Sequence, residues 1–80
     1  MDDDEIIHRI GQLADEERSL EEAHAAEGLR PDERDRLERL QVTLDQLWDL
    51  LRQRRALRRA GRDPDEAEER PAATVEHYQQ

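Results

Sequence analysis

Leucine recurs through the middle of this chain at spacings that alternate between three and four: Leu37, Leu40, Leu44, Leu47, Leu51. That alternation marks a helix seam that packs on another helix. Trp48, Leu50 and Leu57 widen the seam. Upstream, Ile6, Ile10, Leu13 and Leu20 hold the same kind of register, which continues through Glu17, His24 and Glu27. The pattern predicts one helix over about 3–27 and a second over about 31–60.

Local chemistry agrees with those limits. Asp2, Asp3 and Asp4 can cap the first turn of helix 1, where negative charge suits the helix dipole. Gly28 fits the position just past its end. Pro31 fits the first position of helix 2, followed by Asp32 and Glu33, although Arg30 is a poor N-cap. Gly61 ends helix 2. Asp63-Pro64-Asp65-Glu66 then predicts a short helical turn over about 64–69, with Glu66 reaching back to the cap, before Pro71 stops it. The acidic tail from 63 to 80 ends in a stretch with Val75 and Tyr78 as its sizeable apolar residues, which reads as extended.

A connection of a few residues between long helices makes them antiparallel, with facing residue numbers summing to roughly 60. Leu13 then faces Leu47, Ile10 faces Leu50 or Leu51, Leu20 faces Leu40, and His24 faces Leu37. The fold class is therefore an all-α, coiled-coil-like two-helix hairpin over 1–62 with a tail over 63–80. Glu5/Arg9, Asp32/Arg36 and Asp35/Arg39 are spaced for i,i+4 ion pairs.

Composition sharpens this picture. Charged residues make up 44% of the 80 residues and apolar ones 34%, with one Trp, one Tyr and no Phe. Such a seam leaves an isolated hairpin marginal against the entropy of ordering it. Trp48, Leu50 and Leu57 also lie partly off the seam and need a cover, from a second chain or the tail. A homodimer forming an antiparallel four-helix bundle is the expected state.

Charge is unevenly spread. Residues 52–62 carry six arginines and no acid, whereas residues 1–30 carry ten acids and three arginines. In an antiparallel hairpin the arginines lie beside Asp2–Glu5. Arg52, Arg55, Arg59 and Arg62 are expected to pair mainly with that segment and with Asp63–Glu69. The net charge of −9 disfavours nucleic-acid binding. All 13 basic residues are arginine, a pattern that GC-rich coding also produces.

Candidate chemistry is sparse. The absence of Cys removes disulfides and thiolate ligands. Glu17, Glu21 and His24 share one face and contain the Glu-x-x-His spacing of di-iron bundles. The residues expected to face them are leucines, so a solvated face is the stronger reading. His8 and His77 lack a second ligand at suitable spacing. Ser19, Thr43, Thr74 and Tyr78 lack an orienting His, so no catalytic residue and no cofactor is assigned. The acidic N-terminus lacks the features of a signal peptide, and no apolar run approaches a membrane span. A soluble cytoplasmic protein without membrane contact is expected.

One run is more specific than periodicity requires: Leu44-Asp45-Gln46-Leu47-Trp48-Asp49-Leu50-Leu51-Arg52-Gln53-Arg54-Arg55-Ala56-Leu57. With Met1-Asp2-Asp3, Ile10-Gly11, Asp63-Pro64-Asp65-Glu66-Ala67, Arg70-Pro71 and Val75-Glu76, it resembles the bacterial domain of unknown function 2630 family, short proteins found mostly in actinobacteria. The resemblance covers nearly the whole chain. It implies a complete natural protein and assigns no chemistry.

The sequence thus points to a small non-enzymatic interaction protein that self-associates and docks on a larger partner, with Trp48, Leu50, Leu57, Arg55 and Arg59 as interaction residues. A nucleic-acid-, RNA polymerase- or ribosome-associated factor is the alternative, using the arginine cluster or an acidic hairpin tip at Glu27, Asp32 and Glu33. A metal-binding bundle through Glu21 and His24 is a third.

Overall fold

The computed structural model of the protein describes residues 1–71. Its elements are α1 (Asp3–Glu27), α2 (Pro31–Arg59) and a 3-10 turn (Pro64–Glu66), with no strand among the described residues. Val75 and Tyr78 lie outside the described residues, as do Thr74 and His77.

The caps explain where the helices begin and end. Glu5 N–H donates to Asp2 Oδ1 at 2.8 Å, so Asp2 caps α1. Gly28 closes α1 at φ +80°, with its N–H on the His24 carbonyl. Arg30 has no acceptor to offer the first turn of α2. Glu33 reaches back instead, and its Oε1 accepts from Arg30 N–H at 3.1 Å and from Arg30 Nε at 3.2 Å. At the far end of α2, Arg62 N–H meets the Leu57 carbonyl at 2.8 Å and Gly61 N–H meets that of Arg58 at 3.1 Å. This is a Schellman closure, and Gly61 supplies its left-handed residue at φ +73°.

The two helices form the hairpin that the leucine pattern implies. Ile6, Ile10 and Leu13 of α1 bury against Leu40, Leu44, Leu47 and Leu51 of α2, and Leu20 and Leu50 pack on that cluster. Ion pairs set the antiparallel register: Asp3 with Arg54 and Arg58 near the open end, and Glu16 with Arg36 nearer the tip. Their number sums bracket the expected value. Arg36 makes a bidentate pair with Glu16, at 2.8 Å for both bonds, rather than the local pair with Asp32. The cross-helix partner offers two parallel acceptors in a fork that fits guanidinium.

The seam loosens toward the tip. Leu37 is half-buried and His24 is exposed, so the expected contact between them does not contribute to the core. The cause is the α1 register itself: beyond Leu20 it runs through His24 and Glu27, which have little to gain from burial.

After Gly61 the chain turns back along α2 as a clasp. Asp63 caps the 3-10 turn, with Oδ1 accepting from Asp65 N–H at 2.9 Å. The turn is confined to Pro64–Glu66, because Ala67 adopts an extended conformation and the chain beyond it lies against α2. Glu66 does not reach back to the cap. Its carboxylate sits 2.7 Å from Arg62 Nη2.

Candidate functional site

The clasp is held by polar side chains projecting from α2. Gln53 Nε2 donates to the Glu68 carbonyl at 2.7 Å and to Asp49 Oδ2 at 2.9 Å. Gln46 Nε2 donates to the Arg70 carbonyl at 3.3 Å. Arg70 closes on Asp49 through two nitrogens, with Nε 2.8 Å from Oδ2. Asp49 is only 1% exposed. The Arg70 guanidinium lowers its carboxyl pKa, against the opposing effect of burial, and Gln53 adds to the lowering.

A second polar knot ties the clasp to both helices. Arg54 is buried and donates through Nε to Asp3 Oδ1 at 2.6 Å. Its Nη1 reaches Asp65 Oδ1 at 2.9 Å and the Pro64 carbonyl at 3.2 Å. Arg58 Nη1 takes the other oxygen of Asp3 at 3.0 Å. Hydrogen bonds from Arg58 and Arg54 hold the Asp3 carboxyl at a pKa of about 2. In turn, Asp3 and Asp65 raise that of Arg54.

These contacts divide the six arginines of residues 52–62 into two sets. Arg54, Arg58 and Arg62 are paired with Asp3, Asp65 and Glu66. Arg52, Arg55 and Arg59 are exposed and make no ion pair among the described residues. Internal pairing is therefore real, but it corrects the expected assignment. Among the described residues, of Arg52, Arg55, Arg59 and Arg62 only Arg62 takes part, and the buried Arg54 and the partly exposed Arg58 do most of the pairing. Spacing explains the division. Arg54 and Arg58 continue the buried line of Leu47 and Leu51, whereas Arg52, Arg55 and Arg59 follow Trp48 at steps of four, three and four on an outer stripe.

The expected interaction residues separate along the same boundary. Leu50 and Leu57 are half-buried and line clefts beside clasp residues such as Ala67 and Glu66. Trp48 stays 44% exposed away from the clasp, in helical line with Arg55 and Arg59, which also border a cleft with Asp49, Gln53 and Arg70 at the clasp's edge. A turn of about 100° per residue puts Trp48 well over 90° from Gln46 and Gln53, which hold the clasp. The same geometry places Ile7, Gly11 and Ala14 of α1 on this open flank. Ile7 is 48% exposed.

The other candidate chemistry is not assembled. Glu17 is half-buried while Glu21 and His24 are exposed, and no group of three or more potential metal ligands gathers among the described residues. No helix among them is long and apolar enough to cross a membrane. Asp49, Arg54, Arg70, Gln46 and Gln53 escaped the sequence reading. The available signal was Asp49 itself, a carboxylate between Trp48 and Leu50 that needs a cation when the flank closes over it.

Comparison with known proteins gives a consistent family and no activity. The model of the family described as "Protein of unknown function (DUF2630)" matches residues 2–80. An uncharacterised protein of Mycobacterium bovis and one of Mycobacterium tuberculosis are each 47% identical over 77 residues, covering 95% of this chain and 88% of the relative. No solved structure matches the chain.

Proposed function

The chain belongs to the DUF2630 family of proteins of unknown function, and on that premise we propose that it is a small, non-enzymatic helical interaction protein that self-associates through its open flank. One observation carries the reading: of the three exposed large apolar side chains among the described residues, Met1 sits beside the clasp, whereas Ile7 and Trp48, the two that belong to the helices, lie on the flank away from it. The clasp covers the other flank of α2 with fixed hydrogen bonds and a buried ion pair, so the two sides of one hairpin are finished differently. The modest core, seven buried apolar residues among those described, adds to the argument, because covering Ile7 and Trp48 enlarges it.

Trp48 is the sole tryptophan, so its emission reports on this flank alone. Diluting the protein from tens of micromolar to nanomolar should shift that emission to the red as Trp48 becomes exposed to water. Emission that is invariant over that range, with helicity unchanged, counts against self-association through Trp48.

Arg52, Arg55 and Arg59 support a second reading. An aromatic side chain in line with unpaired guanidinium groups is a form that single-stranded nucleic acid can use, through stacking and phosphate contacts. Salt-dependent quenching of Trp48 by an oligonucleotide supports it, and no quenching at low salt removes it.

A further inference from the structure

We propose that the open flank is one half of a two-fold interface in which α2 of each copy lies against α1 of the other, with the two-fold axis running along the helices. The inference rests on the self-association reading and adds the partner, the orientation and the residues that meet. Three features lead to it.

The first is register. Asp3 pairs with Arg54 and Arg58, which fixes the α1 residues level with each residue of α2. Trp48 is level with the stretch from Arg9 to Leu13, and Arg55 with Asp2 to Ile6. A two-fold axis along the helices preserves these levels and crosses α2 onto α1 of the second copy. Every neighbouring pair in the resulting four-helix bundle is antiparallel.

The second is shape. Trp48 projects from α2, and at its level α1 offers Gly11, with Ile7 and Ala14 one turn to either side. Gly11 is in a helix interior, where glycine is destabilising relative to alanine. A Cβ built there meets nothing within 4 Å, so the hairpin itself does not require the missing side chain. The gap suits the indole of a second copy, with Ile7 as one wall.

The third is charge. Among the described residues Arg55 and Arg59 make no ion pair, and neither does Asp4, which is exposed on the same flank of α1. The proposed crossing puts Arg55 of each copy level with Asp4 of the other. An acidic first turn and a basic last turn of the hairpin thus complement each other twice across the axis. Such rim pairs set orientation more than affinity.

The test uses the absence of cysteine from the chain. Asp4→Cys and Arg55→Cys proteins are made separately, mixed in equal amounts and oxidised. A mixed disulfide well above the proportion that random pairing of the two proteins gives is expected, since the two positions meet only between copies. In parallel, Gly11→Leu fills the gap. At concentrations where both proteins are monomeric the hairpin should melt at the same or a higher temperature, while the dimer weakens by about tenfold or more, as overpacking an interface of this kind requires. A dimer whose mixed disulfide stays at or below the random proportion, or which Gly11→Leu leaves equally tight, overturns this arrangement and leaves self-association standing. A wild-type protein that is monomeric throughout overturns both, and oligonucleotide binding by that monomer would assign the flank to nucleic acid.

Discussion

At the scale of single residues, the chain relies on carboxylates that have given up solvent for arginine. Asp49 is the clearest case, buried beneath the clasp with Arg70 and Gln53 occupying its oxygens. Removing one partner of a buried pair leaves the other charge uncompensated, at about 3–5 kcal/mol. Arg70 keeps partial access to water, so Asp49→Ala should cost less, about 2 kcal/mol by urea denaturation. Acid should act on the same groups. The Asp3 carboxyl is lowered from 3.8 to about 2 in the folded protein, and Asp49 is lowered as well. A depressed carboxyl contributes stability above its unfolded value and loses it as pH falls through the folded one. Thermal stability should therefore be flat down to about pH 5 and fall between roughly pH 4 and 2. Asp3→Asn should flatten part of that fall, and an unaltered profile would mean that Asp3 carries no such linkage. Such residues were poorly legible in the sequence. Asp49 reads as one more surface acid until the tail is known to cross it, and nothing in the spacing of Arg70 points to a residue 21 positions away.

The elements were far more legible, because each is dictated locally. The three–four leucine spacing, Asp2, Gly28, Pro31 and Gly61 each specify a feature that needs only neighbours in sequence. What failed at this scale was the choice among arginines. A helix turns about 100° per residue, so adjacent residues in a charged run face different surroundings, and Arg54 and Arg55 meet different fates. The clasp was legible only as a capped turn, since its path depends on side chains of α2. Gln53→Ala removes its bonds to Glu68 and Asp49 and should cost about 1 kcal/mol. The expected signature is faster proteolysis between Gly61 and Arg70 with α-helical signal retained. Leu47→Asp should do the opposite, with helicity lost throughout, because it places a charge in the seam that holds both helices.

For the molecule as a whole, the sequence predicted a hairpin and a need for cover over Trp48, Leu50 and Leu57. The structure divides that need. The clasp runs beside Leu50 and Leu57, and Trp48 is left on a flank with Ile7, Gly11 and three arginines that make no ion pair among the described residues. Charge segregation was visible from the start, yet its partition into paired and unpaired arginines is a property of the fold. Self-association of the hairpin through that flank is the central claim, and molar mass tests it most directly. Light scattering on the wild-type protein at micromolar concentration and moderate salt should give twice the 9.5 kDa chain mass. Trp48→Glu should give the single-chain mass with its helices intact. A wild-type protein that shows the 9.5 kDa mass at every concentration while remaining fully helical would contradict the claim.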